Sequence, residues 1–503
     1  MKHRLKGLLA LVLSLMMVFA LATNAWAMVW IGEKDIGDNS YWTYSNNEWS
    51  TGSNQSYNVH LSGESLTLNG FAYSDTDGIF SNSDLTINLI GDNSVTASKT
   101  DSSGATAIIV DGNLTIDGTG SLTASGTNEG IHAGNVTIES GTVTATGTNS
   151  DGIFASDEVT ISGGNVTATG SNGDGINANN ITISGGTVTA TGSNDNGYGI
   201  YALEDNFNGG DITISNGNVT AEGGRVGIGA EDAVTITGGT VIAKGTTPTD
   251  SVGIHASGRL GGELTISGAT VTATGGGDGG RGISAYDVSI ENATVTAAGS
   301  ATDDGSGNVT YGGKYGIYSS HTGSSSGGEV VIKNSTVTAK AGADGTGIRV
   351  EGVIGKTIIQ NSTVDIGCKT GINSNYVAIL ADSSVTIKST DKAISCSGLS
   401  FADATDPALS DSTWYKWSTD NTNFTDSATT ELTKEITADT STLYVVPLSA
   451  NTNPYPPIIY NPTPTPEPEK VDSAKTFDGG IGLYVTMSIL SATGGAWLAK
   501  KKD

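Results

Sequence analysis

A Gly-Ile pair punctuates this chain. Counting its isoleucine, with Ala in place of Gly in two instances, the marks fall at Ile79, Ile108, Ile131, Ile153, Ile176, Ile200, Ile228, Ile254, Ile283, Ile317, Ile348, Ile372 and Ile394. Successive spacings cluster at 22 to 24 residues and stretch to 34 where segments are inserted. Between marks, apolar and polar residues alternate in three short runs, as in Gly152 to Ala155, Val159 to Ile161 and Val166 to Ala168, separated by Gly, Ser, Asn and Asp. Alternation of period two bounded by turn residues predicts three strands and three turns per unit. With Ile153, Ala155, Val159, Ile161, Val166 and Ala168 inward, Phe154, Thr160 and Thr167 face out; the next unit repeats this with Ile176, Ala178, Ile181, Ile183, Val188 and Ala190 inward.

One such unit cannot bury its apolar edge, so units must stack, each hydrogen-bonded to the next at ~4.8 Å. The expectation is an all-β protein, a parallel β-helix of about 13 coils and roughly 60 Å in length. A coil of this length with unequal turns, and the right-handed preference of parallel crossovers, select the right-handed form.

Composition agrees. The 503 residues include 71 glycines, about 14% against a usual ~7%. Hydrophobic residues at 36% and charged residues at 15% exclude a disordered chain, and no Gly-X-Y period supports collagen.

The flanks carry different chemistry. Lys2, Arg4 and Lys6, an apolar run and Ala25-Trp26-Ala27 read as a signal peptide over residues 1–27. Residues 28–60, with Trp30, Trp42 and Trp49, form an N-terminal cap, and the β-helix occupies 61–401. Residues 402–450, with Trp414 and Trp417, read as a small β module, and 451–476 as a proline-rich stalk. Residues 477–503 contain an uncharged run from Gly479 to Ala499 followed by three lysines, the pattern of a C-terminal transmembrane helix with a basic tail. The expected location is the cell surface, with the protein secreted and membrane-anchored.

Net charge is −27, and near −32 once the cations of leader and tail and Asp503 are set aside, leaving 18 basic against 50 acidic residues. That excludes nucleic acid, whose binding rests on Lys and Arg neutralising phosphate, and suits a glycan partner. Two cysteines, Cys368 and Cys396, exclude a disulfide scaffold, although the two could pair.

Loop lengths locate the functional side. From the second to the third strand the spacing is five residues in nine coils, as from Ile161 to Val166, so that corner is structural. The corners on both sides of the Gly-Ile strand vary, and their loops would wall a groove. Its floor is the outward column Phe80, Ile109, His132, Phe154, Asn177, Tyr201, Gly229, His255, Ser284, Tyr318, Arg349 and Asn373, whereas the outward columns of the other sheets are mostly Thr. Aromatic faces suit sugar rings, and Asn, His and Arg suit hydroxyls. The candidate carbohydrate-binding residues are Phe80, His132, Phe154, Asn177, Tyr201, His255, Tyr318 and Arg349. Phe154 and Tyr201 stand two coils apart, roughly 9.6 Å, near a disaccharide repeat. The competing explanation is that aromatics favour β-surfaces and stack on one another.

Acidic residues precede several Gly-Ile pairs: Asp77, Glu129, Asp151 and Asp174. Carboxylates stacked at strand spacing repel, and calcium would relieve them; a solvated turn with Asp before Gly for local backbone reasons is the favoured explanation. For catalysis, Arg349 is the only permanently charged base in the column, and His132 and His255 lie five coils apart. A non-catalytic polysaccharide binder is the leading reading, with a polysaccharide lyase and a structural adhesin for a protein or another cell as alternatives. Repeated Thr-x-Thr, as at Thr144 and Thr146, also matches ice-binding solenoids, though β-propensity explains it.

The runs from Gly152 to Gly170 and Gly175 to Gly192 resemble the carbohydrate-binding, polysaccharide-lyase-like β-helix surface proteins of clostridial and related Gram-positive bacteria. The resemblance spans roughly residues 60 to 400 and implies binding of plant cell-wall or other polysaccharides, with calcium as a possible cofactor. The tail also resembles a sortase signal, keeping Lys475, Thr476 and Asp478 but lacking the leading Leu-Pro and placing Phe477 where Gly belongs.

Overall fold

A computed structural model gives the structure of the protein and describes residues 28–99, 104–205, 208–258, 261–303, 309–320, 327–380, 382–400, 415–426, 437 and 440–447. The chain divides into two units, 1–449 and 450–503, and every described residue belongs to the first. The leader, the proline-rich stalk, the apolar tail and Trp414 lie outside the described residues.

The strands stack into three parallel columns, the architecture of a parallel β-solenoid. In the first column each Gly-Ile isoleucine pairs with the next, from Ile79–Ile108 through to Ile372–Ile394, so thirteen rungs keep one register. The second column aligns Val159, Ile181, Ile212 and Val234, and the third Val166, Val188, Val219 and Val241. All the inward residues named for the Ile153 and Ile176 coils are buried. Because like pairs with like along each column, the interior is a set of continuous Ile, Val and Ala rows, the tight packing on which a solenoid depends.

The Gly-Ile signal has a steric origin. A Cβ on Gly175 would fall 2.4 Å from the Thr191 amide nitrogen and 2.6 Å from the Gly199 carbonyl oxygen. Where the third strand turns into the first at Gly175, backbone lies against backbone and leaves no room for a side chain. The five-residue corner is built in two ways: Gly164 takes φ 75° in the early coils, while Asn292 takes φ 51° one position earlier in a later coil. Both residue types tolerate the left-handed region.

Antiparallel strands close the ends. Val29–Ile31 pairs with Ile79–Ser81, and Val59–Ser62 with Ser65–Asn69, with Ser40–Ser45 added outside. Beneath them Tyr44, Trp49, Phe71 and Tyr73 form an aromatic cluster with ring centroids 4.9 to 6.4 Å apart. At the other end Thr442–Pro447 pairs with Ser384–Ser395, and Tyr415–Ser418 pairs with Thr442–Pro447, burying Tyr415. Reversed strands cover edges that would otherwise template further pairing. Cys368 and Cys396 form no disulfide: the buried Cys368 thiol donates to the Thr370 carbonyl at 2.8 Å, and burial raises its pKa to about 12. Among the described residues no helix is long and apolar enough to cross a membrane.

Replacing Gly175 with Ala forces the new methyl into the adjoining backbone, so thermal denaturation should show a stability loss of about 2 kcal/mol. An unchanged melting temperature would contradict the close approach described here.

Candidate functional site

Register carries the outward residues of the first column into one line. The Cα pairings run Phe80–Ile109–His132–Phe154–Asn177–Tyr201–Gly229–His255–Ser284–Tyr318–Arg349–Asn373 without a break, and Ser395 extends them. All eight candidate binding residues therefore share one face. Trp30, across from Phe80, begins this line on the antiparallel capping strand. Sequence periodicity does not identify it, because it lies outside the repeat.

The side chains gather in groups. His132 and Phe154 lie with ring centroids 4.8 Å apart. Tyr201 stacks on Tyr198 at 4.2 Å, and Tyr318 on Tyr315 at 4.7 Å. Tyr198 and Tyr315 were not among the candidates. Each precedes a Gly-Ile pair, and its ring stacks on that of the residue three positions later. Gly229 makes room for one of them, since a Cβ there would lie 2.5 Å from the Tyr198 ring.

Acidic residues from the far corner steady both tyrosines. The Tyr201 hydroxyl donates to Glu231 at 2.5 Å, and the Tyr318 hydroxyl to Glu351 at 2.9 Å. Burial, and then the carboxylate partner, raises the pKa of Tyr201; burial is also the main cause of the rise at Tyr318. Cations border the rings: Arg225 lies 5.9 Å from the Tyr198 ring centroid, and Arg281 lies 5.2 Å from that of Tyr318. Arg349 pairs with Glu351 at 3.3 Å. Beside them opens a cleft of ≈ 620 Å³ whose lining is mostly polar, with Arg349, Glu351, Asn373, Asn375, Ser395 and Ser397 beside Val350 and Cys396.

Two candidates point less freely outward. Burial lowers the pKa of His255 to about 4, so the ring is neutral near pH 7, with Nδ1 3.3 Å from the Ser284 carbonyl oxygen. Asn177 donates to Asp174 at 3.0 Å.

The acidic positions divide. Asp77 is exposed and pairs with Lys99. Glu129, Asp151 and Asp174 are buried and form a ladder along successive coils. The Asp174 N–H donates to the Asp151 carboxylate at 2.6 Å, and the Tyr198 N–H to the Asp174 carboxylate at 2.7 Å. Glu129 accepts from Thr106 and Asn128. Each carboxylate thus satisfies donors at a glycine corner. Among the described residues no group of three or more His, Cys, Asp or Glu converges as metal ligands do. Burial raises the pKa of Asp151 to about 6 and that of Asp174 to about 7, with Glu129 adding to the first and Asp151 to the second. Burial also pulls Glu129 upward, but His132 and Thr106 outweigh it and leave its pKa lowered.

Loops stand on both sides of the line. The pair Glu204–Asp205 and Asn208–Gly209 forms a hairpin after the Tyr201 strand, and Ser300–Asp303 with Val309–Gly312 forms one before the Tyr318 strand. Bridges between Ser251 and Gly276 and between Gly327 and Gly352 link neighbouring loops.

A family model described as a carbohydrate-binding domain-containing protein matches residues 55–279. That stretch includes the floor from Phe80 to His255, and the match supports a carbohydrate-binding role. No curated protein and no solved structure matches the chain.

The ladder carries a pH signature. A carboxyl whose folded pKa exceeds its unfolded value of ~3.9 stabilises the fold when protonated, and that contribution is lost as pH rises through the folded pKa. Stability should therefore fall between about pH 4 and about pH 7 through Asp151 and Asp174. Thermal melts across this range should show the slope in the native protein and a flatter one in the Asp151→Asn, Asp174→Asn double variant.

Proposed function

We propose that this protein is a non-catalytic polysaccharide-binding protein of the cell surface, a right-handed β-helix that holds a glycan chain along its Gly-Ile face. The observation that carries the proposal is the unbroken floor register, which aligns Phe154, Tyr201 and Tyr318 on one loop-flanked side. Rings presented in line at multiples of the coil spacing offer apolar platforms to successive sugars, and amide, hydroxyl and guanidinium groups between them offer hydrogen bonds. The family match across residues 55–279 supports the same partner. In this reading the leader exports the chain and the apolar tail, by membrane insertion, keeps it on a Gram-positive surface.

The polysaccharide lyase is a second reading, favoured by Arg349 beside Glu351 in the polar cleft. Unsaturated products on incubation with pectin would support it.

Affinity electrophoresis of the full chain in gels containing xylan, glucomannan, mixed-linkage glucan, pectin or polygalacturonate tests the main proposal. At least one should retard the protein, and Phe154→Ala with Tyr201→Ala should weaken that retention about tenfold or more. Retardation by none, or retention indifferent to both substitutions, would remove the proposed face. A chelator arm tests calcium separately. Retention that requires calcium would show that the ion takes part in binding, and unchanged retention would leave the Glu129, Asp151 and Asp174 ladder a structural role.

A further inference from the structure

The two tyrosine pairs are built alike. Tyr198-Gly199-Ile200-Tyr201 and Tyr315-Gly316-Ile317-Tyr318 share one four-residue pattern, and the two rings of each stack. In each, the second tyrosine donates its hydroxyl to a glutamate of the following coil, three residues after that coil's Gly-Ile isoleucine: Glu231 after Ile228, and Glu351 after Ile348. Each also has an arginine near one ring. Among the described residues the two hairpins outside the solenoid sheets stand beside these pairs, one next to each. Stacking of aromatics for its own sake does not predict the matched glutamates.

Four rungs separate them, through Ile228, Ile254 and Ile283. At the strand spacing this is ~19 Å. The floor between them, Gly229, His255 and Ser284, carries no large projecting side chain other than a mostly buried imidazole. The second pair lies beyond the matched residues 55–279.

We propose that the groove is bivalent: the Tyr198–Tyr201 and Tyr315–Tyr318 pairs are two equivalent ring-stacking subsites that one unbranched polysaccharide chain engages together across ~19 Å. This rests on the polysaccharide-binding reading above and adds to it a ligand shape and a minimum length. A rigid solenoid fixes the separation, so the second subsite meets its sugar at high effective concentration once the first is filled. The subsites differ at the next rung, where the Tyr198 ring covers Gly229 in the first and Arg349 borders the second.

The test uses whichever polysaccharide of the five-member panel retards the wild type, hydrolysed and separated by length. Calorimetric titration of the full chain with these fragments should show affinity rising steeply, about a hundredfold, once fragments exceed ~19 Å. Tyr201→Ala and Tyr318→Ala should each abolish that step while leaving short-fragment binding at the other subsite. The double variant should lose both, and Tyr201→Phe with Tyr318→Phe, melting like the wild type, should keep the step in weakened form. A smooth dependence on length, or loss of all binding through one tyrosine with no effect of the other, would overturn bivalency while leaving the polysaccharide reading intact. If no polysaccharide of the panel is bound, that reading fails and bivalency fails with it.

Discussion

The structure depends on backbone contact at the corner before each Gly-Ile strand. There the chain returns from the third sheet to the first with no space for a side chain, and Gly175 and its equivalents let one coil rest on the next. Parallel pairing from coil to coil holds the isoleucines in register over thirteen rungs. Hydrophobic burial supplies the driving force, but it is non-directional. The glycine corner and the parallel hydrogen bonds decide which residue stands above which.

Exact stacking makes every outward position a column, and the columns have opposite energetic characters. Aromatic positions gain from neighbours of their own kind, as His132 does from Phe154. Carboxylates at Glu129, Asp151 and Asp174 repel one another and are costly to bury. The fold tolerates them because each accepts hydrogen bonds at the corner and because, at Asp151 and Asp174, protonation is available at modest acidity. One geometric rule thus generates both an array suited to sugar rings and a pH-sensitive spine beside it.

Insertions are confined to places where they do not disturb this stack. The five-residue corner stays constant even as its turn changes from Gly164 to Asn292, whereas the corners flanking the Gly-Ile strand carry hairpins. Extra length in those loops costs little closure entropy, so the solenoid supplies a rigid ruler and the loops supply local variety along it.

The repeat, the inward rows and the single line of floor residues were legible in the sequence, because period-two alternation and a recurrent glycine are local signals. Other features were not. Tyr198 and Tyr315 occupy the position that is acidic in earlier coils, and their stacking on Tyr201 and Tyr318 appears only in the folded chain. Glu231 and Glu351 meet their tyrosines from 30 and 33 residues away. The sequence by itself determined which residues lie inside and which form the outward column, since both follow from neighbours along the chain. Only the tertiary structure decided that Asp151 and Asp174 serve the backbone of the next coil, that Trp30 continues the line, and that two tyrosine pairs have the same partners. Those relations join residues a full coil or more apart, and their distances are set by the stacking of coils rather than by spacing within one.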